Sequence, residues 1–146
     1  MSGVSRLSGV SRLSSVNLAT ALSAIRFTYG MVEATVPDVV SRRVAGRPLD
    51  RHERLAARVL GVRHILQAGA ATVLASPTGY RLGAGVDALH ALSMVGLAAV
   101  DRRRRPLALA ETVTASAMAL AGLYAAHRAG QTFSFPASPA SRSPRP

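Results

Sequence analysis

Four stretches of the chain are apolar and free of proline, at about 16–36, 57–76, 82–100 and 106–126. Pro37, Pro48, Pro77 and Pro106 fall between them, and Pro136, Pro139, Pro144 and Pro146 crowd the last residues. That placement suits helices, because a proline ring removes a donor and clashes with the preceding turn. Each stretch is close to the ~20 residues that cross ~30 Å of hydrocarbon at ~1.5 Å per residue. A soluble alanine-rich bundle is the rival, and it requires a continuous polar face on each helix. The stretch 88–100 offers only His90 and Ser93 as polar side chains, and 112–126 only hydroxyls. The pattern therefore predicts an all-α fold, a four-transmembrane-helix bundle over 16–128. An N-terminal tail (1–15) precedes it, and a disordered Pro/Ser-rich tail (129–146), unable to bury a core, follows.

Charge orients this bundle. The chain is 49% hydrophobic and 17% charged, against about 25% charged in an ordinary domain, yet its net charge is +11 and all 18 of its basic residues are arginine. Ten arginines sit in two connections: Arg42, Arg43, Arg47, Arg51, Arg54 and Arg58 around the 37–56 loop, and Arg102, Arg103, Arg104 and Arg105 between the last two spans. Six lie on the opposite side: Arg6, Arg12, Arg81, Arg128, Arg142 and Arg145. The positive-inside rule then puts both basic connections in the cytoplasm and both termini outside the plasma (inner) membrane, with Tyr80 and Tyr124 at the outer interface. Asp50 followed by Glu53 reads as a capping box opening a helix that starts at the membrane surface. Arg51, Arg54, Arg58 and Arg102 to Arg105 are candidate contacts for anionic lipid, each worth about 1 kcal/mol at most; topology alone also accounts for them. Nucleic acid is not an expected partner, since the arginine run is pinned in a turn and aromatic residues for stacking are scarce.

The N-terminus repeats Ser-Gly-Val-Ser-Arg-Leu at 2–7 and 8–13, too short for a solenoid. A cleaved signal peptide competes for the first 30 or so residues, but Arg26 breaks its apolar region and an uncleaved span fits better. With no cysteine, disulfide scaffolds and cysteine-ligated metals are excluded. No hydrolytic triad or phosphate loop occurs, and Gly83-x-Gly85 lacks the strand and third glycine of a dinucleotide site.

Candidate chemistry lies in charges that interrupt the spans. Such groups are expensive in hydrocarbon, face the interior and take partners. Counting up from the cytoplasmic ends, Glu33, Arg63, His64 and Glu111 form a layer about 6–9 Å deep, and Gln67, His90, Arg26 and Asp87 a layer above it. The lower layer should pair Arg63 with Glu33 and Glu111; the upper should offer Arg26 to Asp87, with His90 and Gln67 nearby. Three uses are open. Ion pairs could fix helix register, helped by the small face Ala115, Ala119, Gly122 and Ala126. Glu33, Asp87, His90 and Glu111 could form a proton or ion path. A metal site would draw on Asp87-x-x-His90, although a di-iron bundle needs two such pairs and more carboxylates; neither metal nor cofactor is expected.

The run Arg58-Val-Leu-Gly-Val-Arg63-His64-Ile-Leu-Gln67, followed by Gly85-Val-Asp87-Ala-Leu-His90, resembles small four-span membrane proteins of actinobacteria of the domain-of-unknown-function type. The resemblance covers spans two to four and implies no activity. All-arginine, alanine-rich usage also fits a GC-rich genome. The leading expectation is a non-enzymatic accessory or assembly protein packing against other membrane proteins or itself; the alternative is a small proton- or ion-coupled transporter or channel.

Overall fold

The computed structural model describes the backbone of residues 4–132 and the side chains of 19–131. Among the described residues all regular structure is helical: α1 (Val4–Thr35), α2 (Pro37–Ala45), α3 (Arg51–Val73), α4 (Pro77–Val100) and α5 (Arg105–Thr132). The boundaries follow local chemistry. Pro37 opens α2, and Gly46, at φ 67, closes it in the left-handed conformation that favours glycine. The capping box is present: the Asp50 side chain accepts from the Glu53 N–H while the Glu53 carboxylate accepts from the Asp50 N–H. Ser76 caps α4 with Pro77 in its first turn. Asp101 accepts from the backbone N–H groups of Arg103 and Arg104, so the arginine run enters α5 through a side-chain-held turn.

Two boundaries differ from the sequence expectation. Helix α1 extends back to Val4 across the repeat assigned to a tail, and the 37–56 loop contains α2. The expected tail from 129 is helical as far as Thr132; its remainder, 133–146, lies outside the described residues.

Helices α1 and α3 pair closely, as do α4 and α5, and α1 also contacts α5; of the pairs in contact, α3 and α4 touch least. Glycine sets the first crossing. A Cβ on Gly61 would lie 2.5 Å from the Gly30 carbonyl oxygen and 2.6 Å from the Ala34 nitrogen, so only hydrogen fits there. The second pair is packed by alanine: Ala84, Ala91 and Ala98 on α4 and Ala108, Ala115, Ala119 and Ala126 on α5 are all buried. The small face of α5 is thus consumed inside the chain.

What remains is an inverted distribution. Asp87 is 0% exposed and His64 1%, whereas Leu66, Leu89 and Val113 are 66%, 66% and 70% exposed. Contiguous apolar surface beyond a few hundred Å2 is uncommon on soluble monomers. By length and composition two helices, Pro77–Val100 and Arg105–Gln131, are apolar enough to cross a membrane, against the four expected. Glu33 and Arg26 on α1, and Arg58, Arg63 and His64 on α3, lower the hydropathy of the other pair.

Candidate functional site

The polar side chains of the interior meet in two layers between the helix pairs. In the layer farther from the α4–α5 turn, Asp87 of α4 takes one guanidinium on each oxygen. Arg26 Nη2 of α1 donates to Oδ2, and Arg63 Nη2 of α3 donates to Oδ1 at 2.6 Å. Arg26 also donates to Gln67 Oε1 at 3.2 Å and to the Met118 carbonyl of α5 at 3.3 Å. One carboxylate and one arginine therefore tie all four long helices.

In the second layer the Tyr29 hydroxyl donates to Glu111 Oε1 at 2.6 Å, and His90 Nε2 lies 3.6 Å from Glu111 Oε2. Glu33 interacts with both Tyr29 and Glu111. His64 packs edge-on to Tyr29, ring centroids 5.5 Å apart, with its Nε2 4.0 Å from Glu33 Oε2. Helix α1 can offer Arg26, Tyr29 and Glu33 together because they share one face at three- and four-residue spacing. The glycine crossing brings that face against His64. Several groups here have no hydrogen-bond partner among the described residues: Glu33 Oε2, His64 Nδ1 and His90 Nε2.

The expected Arg26–Asp87 pair with Gln67 beside it is present. Two expected pairings are not. Arg63 goes to Asp87 rather than to Glu33 and Glu111, because a fully buried carboxylate leaves an oxygen that must be satisfied. His90 belongs with Glu111 rather than in the Asp87 layer, one helical turn closer to the α4–α5 turn. Tyr29 as the partner of Glu111 was missed; its position on the Arg26/Glu33 face was the available signal. Among the described residues no group of three or more His, Asp and Glu is arranged to hold a metal ion; Asp87 and His90 face different partners.

Two cavities flank the Asp87 cluster in the cleft between α3 and α4. The larger, about 450 Å3, opens toward α2 and the α4–α5 turn. Glu33, Arg63, His90 and Glu111 line its depth, Leu60, Met94, Leu97 and Leu107 its walls, and Glu53 and Arg104 its rim. The smaller, about 270 Å3, lies at the opposite end and is lined by Leu22, Arg26, Gln67, Tyr80, Gly83 and Gly122.

An ionic latch closes the rim. Arg47 grips Glu53 through two bonds of 2.7 Å, and Arg104 reaches Glu53 at 3.0 Å and Asp50 at 3.4 Å. The Arg47 guanidinium, helped by the Asp50 N–H and Arg104, holds Glu53 down from 4.5 to about 2 despite the opposing effect of burial. Asp50 is also held below the ordinary range, chiefly by the Glu53 backbone N–H, and Asp38 by that of Leu49. The candidate lipid arginines divide accordingly. Arg104 belongs to the latch, Arg54 pairs with Asp38 at 3.1 Å, Arg103 with Asp50 at 3.6 Å, and Arg105 donates to the Ala98 carbonyl. Arg51, Arg58 and Arg102 are exposed and make no ion pair with a described residue. At the other end Tyr124 is exposed and accepts from Arg128, while Tyr80, near the start of α4, is buried.

Comparison with family models, with curated proteins and with solved structures finds no match to this chain.

Proposed function

We propose that the chain is a multi-pass protein of the plasma membrane whose polar interior moves protons, alone or coupled to a small solute. The observation behind this is a charge deficit beside a cavity. With histidines neutral, the interior holds Arg26 and Arg63 against Glu33, Asp87 and Glu111, two positive charges against three negative. Asp87 absorbs both guanidiniums, and Glu33 and Glu111 stand at the base of the larger cavity with a Glu33 oxygen that makes no hydrogen bond. An uncompensated charge in a low-dielectric interior is costly, so the site takes up a proton or a cation.

Four spans are supported by where the polar residues point. Those that lower the hydropathy of α1 and α3 include Arg26, Glu33 and His64, all buried, while Ile25, Phe27, Val59, Val62 and Leu66 face outward. The arginine excess at the latch end supports a cytoplasmic position for that end, with both termini outside. Arg51, Arg58 and Arg102 then meet anionic headgroups. An accessory protein remains a second reading, but the small helix face that favoured it is buried within the chain, and the outward faces are aliphatic, as lipid contact requires.

Proton flux into vesicles reconstituted with the purified protein, followed by an internal pH dye, tests the proposal. Glu33→Gln retains side-chain size and should abolish flux while the protein still purifies folded. Wild-type vesicles no leakier than empty ones both without solute and under an opposing gradient of a monovalent organic cation, or a Glu33→Gln variant as active as wild type, would overturn it.

A further inference from the structure

The larger cavity has a chemistry of its own. Its volume of about 450 Å3 lies within the range of about 300–1,000 Å3 typical of ligand pockets. Its walls are aliphatic (Leu60, Met94, Leu97, Leu107) and its base holds two carboxylates. Resting on the proton-moving reading above, we infer that this cavity is the binding site for a lipophilic monovalent cation, an amine or ammonium with a compact apolar body.

Every charged or titratable group facing the site can be assigned. Arg63 lines it, but its guanidinium is committed to Asp87 at 2.6 Å. Glu53 and Arg104 at the rim satisfy each other and Arg47. His64 stands behind Glu33, Tyr29 donates to Glu111, and His90 lies beside Glu111. What is left over is one negative charge shared by Glu33 and Glu111, with the Glu33 side chain only 6% exposed and its Oε2 without a hydrogen-bond partner. An anionic ligand would add a charge that a further proton would have to offset. A neutral one would leave the pair to be neutralised by its proton and would gain nothing from the carboxylates. A strongly hydrated inorganic cation would gain nothing from the aliphatic walls, whereas an organic cation fills them and supplies the missing charge. In the empty state a proton neutralises the pair; the arriving cation displaces it to solvent, so one cation exchanges for one proton and the interior stays balanced throughout.

The test is titration calorimetry of the full chain in mild detergent with benzyltrimethylammonium, which has no proton to give. Benzyl alcohol and phenylacetate serve as neutral and anionic comparisons. Saturable binding of the ammonium alone is expected, with about one proton released per cation, read from two buffers of different ionisation enthalpy. Glu33→Gln and Glu111→Gln should each weaken it at least about tenfold, as loss of a buried charged partner does. Leu97→Trp fills the cavity without touching a carboxylate and should weaken it as well, which keeps the inference testable if a glutamate variant fails to fold. Equal binding of benzyl alcohol, no saturable binding, or a Leu97→Trp protein of wild-type affinity would overturn it. Wild-type proton flux without ammonium binding sinks this assignment and leaves the proton-moving reading standing; ammonium binding without flux does the reverse.

Discussion

Asp87 is the residue on which the interior depends. It is fully buried and accepts from two arginines of different helices. Removing its charge leaves both guanidiniums without a counter-ion, the most expensive way to break a buried network, at about 3–5 kcal/mol. Asp87→Asn should therefore fall in thermal stability and in membrane accumulation far more than Glu33→Gln, as measured by fluorescence-detected unfolding in detergent. Equal stability of the two variants would contradict the assignment of Asp87 to structure and Glu33 to proton uptake. Helical spacing was enough to find these residues, because Arg26, Glu33, Arg63, Asp87 and Glu111 are conspicuous in apolar stretches. It could not assign Arg63 or His90 to a partner. Periodicity gives the face of each helix but not the rotation between helices, and a long arginine can reach either layer.

At the scale of the element, two devices hold the site in place. The first is the glycine crossing of α1 and α3. At Gly61 any side chain meets backbone atoms of the neighbouring helix rather than a movable side chain. Gly61→Val should cost at least the ~1–3 kcal/mol of ordinary overpacking and separate Glu33 from His64. A variant as stable as wild type in thermal unfolding would show that the helices do not cross there. The second device is the latch. Its central carboxylate, Glu53, has a folded pKa of about 2 against 4.5. The stabilisation is complete above about pH 4.5 and is lost as pH falls toward 2. Hydrogen exchange of the Asp50 amide, which Glu53 accepts from, should accelerate across that window, beyond its intrinsic pH dependence, and Glu53→Gln should diminish that change. The capping box was legible because it is written in neighbouring residues. Helix α2 was not, since its proline and arginines read as a loop, and it is anchored by Ser41 donating to the Arg47 carbonyl and by Asp38 accepting from the Leu49 N–H. Under the four-span proposal, hydropathy understates α1 and α3, because it counts an inward arginine as though it met lipid.

Between the helices the molecule is inverted: Arg26, Glu33, His64 and Asp87 are buried, while Val59, Val62, Leu66, Leu89 and Val113 face outward. Small residues provide the internal packing, so the larger aliphatic side chains are left on the exterior. The all-α architecture and the two basic connections at one end could be read from proline and arginine placement alone. The two cavities could not, because they arise from the loose contact between α3 and α4, a property of how the helix pairs sit together. The most direct test uses the absence of native cysteine. Single cysteines at Arg43, Thr78, Leu66, Leu89, Arg102 and Val113 would be probed in intact cells with a membrane-impermeant maleimide, before and after permeabilisation. Thr78→Cys should be labelled from outside, Arg43→Cys and Arg102→Cys only after permeabilisation, and the three aliphatic positions in neither case. Ready labelling of the positions at 66, 89 and 113, or of 43 and 78 from the same side, would contradict the four-span proposal.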